Sequence, residues 1–105
     1  MSELGKLKSD EFSLGNLNSG HLCLELASDM SWDRFPYFVN EFLNRFNATL
    51  EKKTDAVDIR IWEIAIEGEQ IRCVFEDFPL MLSLESDTDN GDQILMKVKE
   101  ELERI

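Results

Sequence analysis

Apolar and polar positions alternate along four stretches of the chain, each predicting a strand with one face in the core. In His21 to Ala27, Leu22, Leu24 and Leu26 fall on one side and Cys23, Glu25 and Ala27 on the other. In Asp58 to Glu67, Trp62, Ile64 and Ile66 alternate with Glu63, Ala65 and Glu67. Ile59 and Ile61 are out of phase with that set, which predicts a bulge or a locally two-sided strand. Ile71, Cys73 and Phe75 face inward against Arg72, Val74 and Glu76, and Asp77-Phe78-Pro79 then breaks the ladder because proline cannot donate to it. Leu80, Leu82 and Leu84 alternate with Met81, Ser83 and Glu85 in a last strand. A further strand is predicted over Ala48 to Lys53, followed by a turn at Thr54-Asp55-Ala56. Glu67-Gly68-Glu69-Gln70 reads as a hairpin turn, with Gly68 free to take a positive φ.

The period changes to 3.6 over Ser31 to Asn47. Phe35, Phe38, Val39, Phe42, Leu43 and Phe46 make one apolar stripe, and Asn40, Glu41, Asn44 and Arg45 fill the other side. Ser31 can cap this helix, Asp33 suits its first turn, and Pro36 is tolerated only near its start. Burial of the stripe contributes about 10–15 kcal/mol before entropy is subtracted. A second helix is predicted from about Asp92 to Arg104, with Ile94, Leu95, Val98, Leu102 and Ile105 on one face. Residues 1–20 hold no sustained period. They read as an irregular arm with one short strand near Phe12 to Leu14, and their leucines are expected to dock on the domain or on a partner chain.

The predicted fold is α+β: a two-layer sandwich in which two helices cover one face of a mostly antiparallel sheet of about five strands, in the order β-α-β-β-β-β-α. The predicted organisation is an arm, 1–20, and a single domain, 21–105. At 105 residues, one domain burying roughly 60–70% of its unfolded surface needs no metal or disulfide staple. The segment from Trp32 to Glu85 resembles a small bacterial family of domains of unknown function. The likeness rests on "WDRFPYFVNEFLNRF", Asp58, Trp62, Gly68, and "FED" before "LSLE". It implies the same sandwich and brings no activity with it.

Charge narrows the function classes. The formal net charge is −11, from 22 acidic against 11 basic residues. Phosphate backbones and anionic membrane surfaces repel such a chain, so neither nucleic acid nor membrane is an expected partner, whereas a basic protein is. No stretch approaches the ~20 apolar residues of a membrane helix. The N-terminus lacks a basic region followed by an apolar run. With Cys23 and Cys73 in separate strands, a disulfide is not favoured and the cytoplasm is the expected compartment.

Nine acidic residues and one basic residue, Arg72, lie between Glu63 and Asp92. By strand parity Glu63, Glu67, Glu76 and Glu85, with Glu25 if its strand joins them, decorate the sheet face away from the helices. That face is the expected partner-binding surface, and its plain alternative is a solvated sheet face. No catalytic set, cofactor site or metal site is predicted. A single histidine, His21, and two dispersed cysteines cannot make a zinc site. The loop Asp87-Thr88-Asp89-Asn90-Gly91-Asp92 fails the EF-hand spacing in either register and reads as a solvated turn with an Asp helix cap. The leading reading is a non-enzymatic interaction module that binds a basic partner. Immunity proteins, inhibitors and small chaperones share its size and charge, by analogy only. The second reading is a small enzyme or ligand-binding domain with a pocket near His21 and Asp77. A third is a homodimer formed through the arm or an edge strand.

Overall fold

A computed structural model describes residues 2–26, 29–77 and 80–105, apart from the side chain of Ser9. Ala27, the end of the first alternating stretch, and Phe78-Pro79, read as the ladder break, lie outside the described residues. The strands are β1 (Ser13–Asn16), β2 (Leu22–Glu25), β3 (Thr49–Asp55), β4 (Ile59–Ile66), β5 (Glu69–Asp77) and β6 (Leu80–Ser86). The helices are α1 (Phe35–Phe46) and α2 (Asp89–Glu103). Two short 3-10 turns, Leu4–Lys6 and Ser9–Glu11, precede β1. All strand pairs are antiparallel, and the sheet order is β1-β2-β6-β5-β4-β3. The α+β class and antiparallel sheet agree with the sequence reading. The strand count does not: the sheet has six strands, because residues 13–16 of the expected arm pair along β2 as its edge.

Both helices close over one sheet face. Phe35, Phe38, Val39 and Phe42 of α1 and Ile94, Leu95, Val98 and Leu102 of α2 join Leu24, Trp62, Ile64, Ile71, Cys73, Phe75, Leu82 and Leu84 in one core. Phe35 stands edge-on to Trp62, with centroids 5.3 Å apart. Helix α1 starts at Phe35, later than the Ser31 cap that the sequence predicts; Ser31 instead closes the turn before it, its Oγ accepting from the Arg34 amide at 3.2 Å and its carbonyl from the Phe35 amide at 3.0 Å. It ends on Asn47 in the left-handed conformation, φ 51°. Helix α2 starts three residues earlier than expected. Thr88, not Asp92, is its cap, accepting from the Gly91 amide at 2.9 Å.

The phase slip at Ile59 and Ile61 has a different origin from a bulge in β4. That strand pairs without interruption along β5, and the register shift sits in β3 between Leu50 and Lys52. Ile59 and Ile61 simply point to the face without helices. The arm docks in part: Leu4 is buried in the core and Leu7 and Phe12 pack against it. Its start is fastened to α1, where Glu41 accepts from the Glu3 amide at 2.7 Å and Ser2 Oγ at 2.8 Å, and Arg34 Nη2 donates to Glu3 Oε1 at 2.8 Å.

Candidate functional site

The helix-free face can be read row by row, because directly paired residues on antiparallel strands share a face. Across β2, β6, β5, β4 and β3 one row is Cys23, Glu85, Arg72, Glu63 and Lys52. The next is Glu25, Ser83, Val74, Ile61 and Thr54, and a third is Met81, Glu76 and Ile59. Glu25, Glu63, Glu76 and Glu85 therefore share the face that the sequence assigns them. Glu67 does not. The ladder ends at Ile66, and Glu67 (φ 51°) and Gly68 (φ 82°) form a two-residue turn that swings the carboxylate toward the helices. Parity cannot be carried through a turn.

The face is less uniformly acidic than the sequence implies. Arg72 stands between Glu85 and Glu63 in its row, and Lys52 flanks Glu63 on the other side. Arg72 Nε donates to Glu85 Oε1 at 3.1 Å, and its Nη1 pairs with Asp87. Burial works against the charge on Arg72, yet Asp87 and Glu85 together hold its pKa above the ordinary value. Between these charges lies an apolar strip of Ile59, Ile61, Val74 and Met81, in which Val74 is only 4% exposed. Toward β1 the face deepens into a cavity of about 250 Å³ lined by Gly15, Cys23, Glu25, Met81, Ser83 and Glu85, among others.

His21 and Asp77 do not share a pocket. His21 precedes β2 at the α2 end of the sheet, and Asp77 pairs with Leu80 at the opposite end of β5. The partners of His21 are Asp92, with Nδ1 and Oδ2 3.0 Å apart, and Asp89 at 3.9 Å. Asp92 Oδ1 also accepts from the Leu22 amide at 2.9 Å, one residue before Cys23, where the β2–β6 pairing ends. Three ligand-type atoms of His21, Asp89 and Asp92 lie within 4.8 Å of one another. Both Asp92 oxygens are already hydrogen-bonded, and Nδ1 must carry a proton to bond a carboxylate. The hydrogen bond to Asp92 raises the His21 pKa. This geometry ties β2 to the first turn of α2 through the His21–Asp92 pair.

The thiols are placed apart. Cys73 faces the core and burial pushes it up to about 12, which keeps it a neutral thiol. Cys23 lies on the helix-free face, where burial and then the Glu85 charge raise it. The two stand on opposite sides of the sheet, so neither pairs with the other.

A second cavity, about 330 Å³, opens between the helices over Phe46, Ile66, Ile94 and Val98. Arg45 and Glu101 span it with a 2.6 Å ion pair. Sequence reasoning missed it, because it depends on how far apart the two helix ends are held. Arg60 was missed as well. It lies on the helix side of β4, bound to Asp55 and to the carbonyl of Trp32, with its guanidinium 4.6 Å from the Trp32 ring centroid.

No helix among the described residues is long and apolar enough to cross a membrane. No curated protein and no solved structure matches the chain. A family model, "Protein of unknown function (DUF3630)", matches residues 12–99, which takes in the edge strand β1 as well as the sandwich; the chain belongs to this family.

Proposed function

We propose that the chain is a non-enzymatic interaction module whose helix-free sheet face receives a basic protein surface. One observation carries this reading. An apolar strip of Ile59, Ile61, Val74 and Met81 is bordered by Glu25, Glu63, Glu76 and Glu85 on a face that neither helix covers. Apolar area bordered by charge of one dominant sign is what a steered, specific contact needs. The net charge of −11 favours a cationic partner, of the kind that an inhibitor, immunity protein or small chaperone holds. Two free cysteines fit a reducing compartment such as the cytoplasm.

The test starts with affinity purification of the full chain at low salt and identification of what it holds. The purified partner is then titrated against the chain and against a triple variant, Glu25→Lys, Glu63→Lys and Glu76→Lys. Loss of at least tenfold in affinity, with release of the wild-type complex at high salt, supports the face. Equal affinity for the variant, with an unchanged circular dichroism spectrum, removes it.

A further inference from the structure

We propose that β1 is a docking edge, taking an extended, lysine- or arginine-bearing segment of a partner protein as a seventh antiparallel or parallel strand. The inference rests on the interaction-module reading and specifies where and in what form the partner binds.

The two edges of the sheet are built differently. β3 carries Glu51, Lys52, Lys53 and Asp55 and a register shift, all of which discourage strand addition. β1 is Ser13-Leu14-Gly15-Asn16, uncharged and exposed at every position. Its backbone is also correctly turned. The Leu17 amide bonds His21 O at 2.8 Å, so by the antiparallel alternation Gly15 and Ser13 bond inward to β2. The N–H and C=O groups of Leu14 and Asn16 then point outward along the edge. Leu26, one residue beyond β2, bonds Leu82 of β6 at 2.8 Å, which fits the same alternation.

Gly15 supports a close approach. A Cβ there would meet nothing within 4 Å, and Gly15 is not among the glycines with positive φ. Neither packing nor backbone geometry inside this fold requires a glycine, although glycine weakens a strand. What a side chain at position 15 would fill is the cavity of about 250 Å³ over Gly15, Cys23 and Ser83. An added strand would lie about 10 Å from β2, two strand spacings away. A lysine or arginine on it can extend across the bare Gly15 to Glu25, which forms no ion pair among the described residues, whereas Glu85 is held by Arg72. The charge choice follows, and a second copy of this chain, itself at −11, is the disfavoured occupant.

The probe is a capped octapeptide alternating lysine and valine, titrated into the ¹⁵N-labelled full chain beside its glutamate–valine counterpart. The expected result is amide shifts concentrated at Leu14, Gly15 and Asn16 with the lysine peptide alone. Gly15→Val, which fills the cavity, and Asn16→Pro, which deletes only an outward N–H, should each weaken binding at least tenfold, with spectra outside β1 unchanged. Lysine-peptide affinity unaltered in both variants overturns the edge. So does absence of lysine-peptide binding. Shifts centred on Glu63 and Glu76 instead would overturn the edge while leaving the broad-face reading standing. Shifts at Leu14 and Asn16 that grow with protein concentration alone would assign the edge to self-pairing and overturn the proposal.

Discussion

Asp55 accepts a 2.9 Å hydrogen bond from the indole Nε1 of Trp62 on the same oxygen that receives Arg60 Nε at 3.0 Å. The Asp55 carboxyl is held below its usual range by Arg60 first and by the indole second. Arg60 Nη2 reaches the other Asp55 oxygen at 3.2 Å and Nη1 reaches Trp32 O at 2.7 Å, so each of its three nitrogens makes a hydrogen bond. Lysine can reproduce neither the two-pronged pairing nor the stacking on Trp32. Arg60→Lys is expected to lower the unfolding free energy by about 1–3 kcal/mol in urea titrations, with a changed tryptophan emission in the folded state. Emission and stability both at wild-type values would show that the cluster contributes nothing.

Gly91 opens a different kind of test. It is buried in the first turn of α2, and a Cβ there would sit 2.5 Å from Ser86 Oγ and 3.0 Å from Thr88 Oγ1. Ser86 is itself fully buried and donates to Thr88 O at 2.9 Å. Alanine would raise helix propensity by about 1 kcal/mol, yet crowding these groups costs more. Gly91→Ala should destabilise by a net amount of about 1–3 kcal/mol by thermal or urea unfolding. Adding Ser86→Gly should recover part of that loss, and additive effects of the two substitutions would locate the strain elsewhere.

The docked arm makes a claim about what counts as the domain. Leu4 is 6% exposed and joins the core beneath α1. Leu4→Ala should cost about 2–3 kcal/mol if that contact is part of the cooperative fold. An effect below a few tenths would mean that the 3-10 turn at Leu4–Lys6 contributes little to folding.

Glu67 separates structure from recognition. Its left-handed φ of 51° suits asparagine or glycine better than glutamate. Glu67→Asn should stabilise the hairpin by about 0.5 kcal/mol and leave partner binding unchanged, because position 67 lies off the helix-free face. Weakened binding would return this carboxylate to the recognition surface.

These residues show what the sequence discloses and where it stops. Leu22/Leu24, Trp62/Ile64/Ile66, Ile71/Cys73/Phe75 and Leu82/Leu84 were legible because period-2 alternation is local and every one of them meets the helices. β1 was blurred: a strand only four residues long and exposed throughout has no apolar face to alternate. The α2 start was misplaced because both Thr88 and Asp92 are residue types that cap helices, and only the hydrogen bond from the Gly91 amide to Thr88 decides between them. The parity of the glutamates on Glu25, Glu63, Glu76 and Glu85 was legible too, but their charge environment was not. Arg72 and Lys52 neutralise that row only once β5 and β3 are known to flank β4, and strand order is a long-range property. Gly15 gave no signal, since its meaning lies in the space beside it.

The pair His21–Asp92 gives a pH dependence with a definite sign. His21 has its folded pKa raised above 6.5, chiefly by the hydrogen bond to Asp92. Its contribution to stability is fully present below 6.5 and is lost as pH rises through the raised value. Burial pushes Asp92 up, but the Leu22 amide and His21 outweigh it and leave the carboxyl below 3.8. The Asp92 contribution is present above 3.8 and disappears as pH falls through the lowered value. The pair is therefore strongest in mildly acidic solution. Urea midpoints of the wild type should exceed those of His21→Gln most clearly near pH 5, and the gap should narrow on going above neutrality, with Leu22 amide exchange rising in parallel. A gap that stays constant from pH 5 to pH 9 would mean that the protonated imidazole contributes nothing to holding β2 against α2.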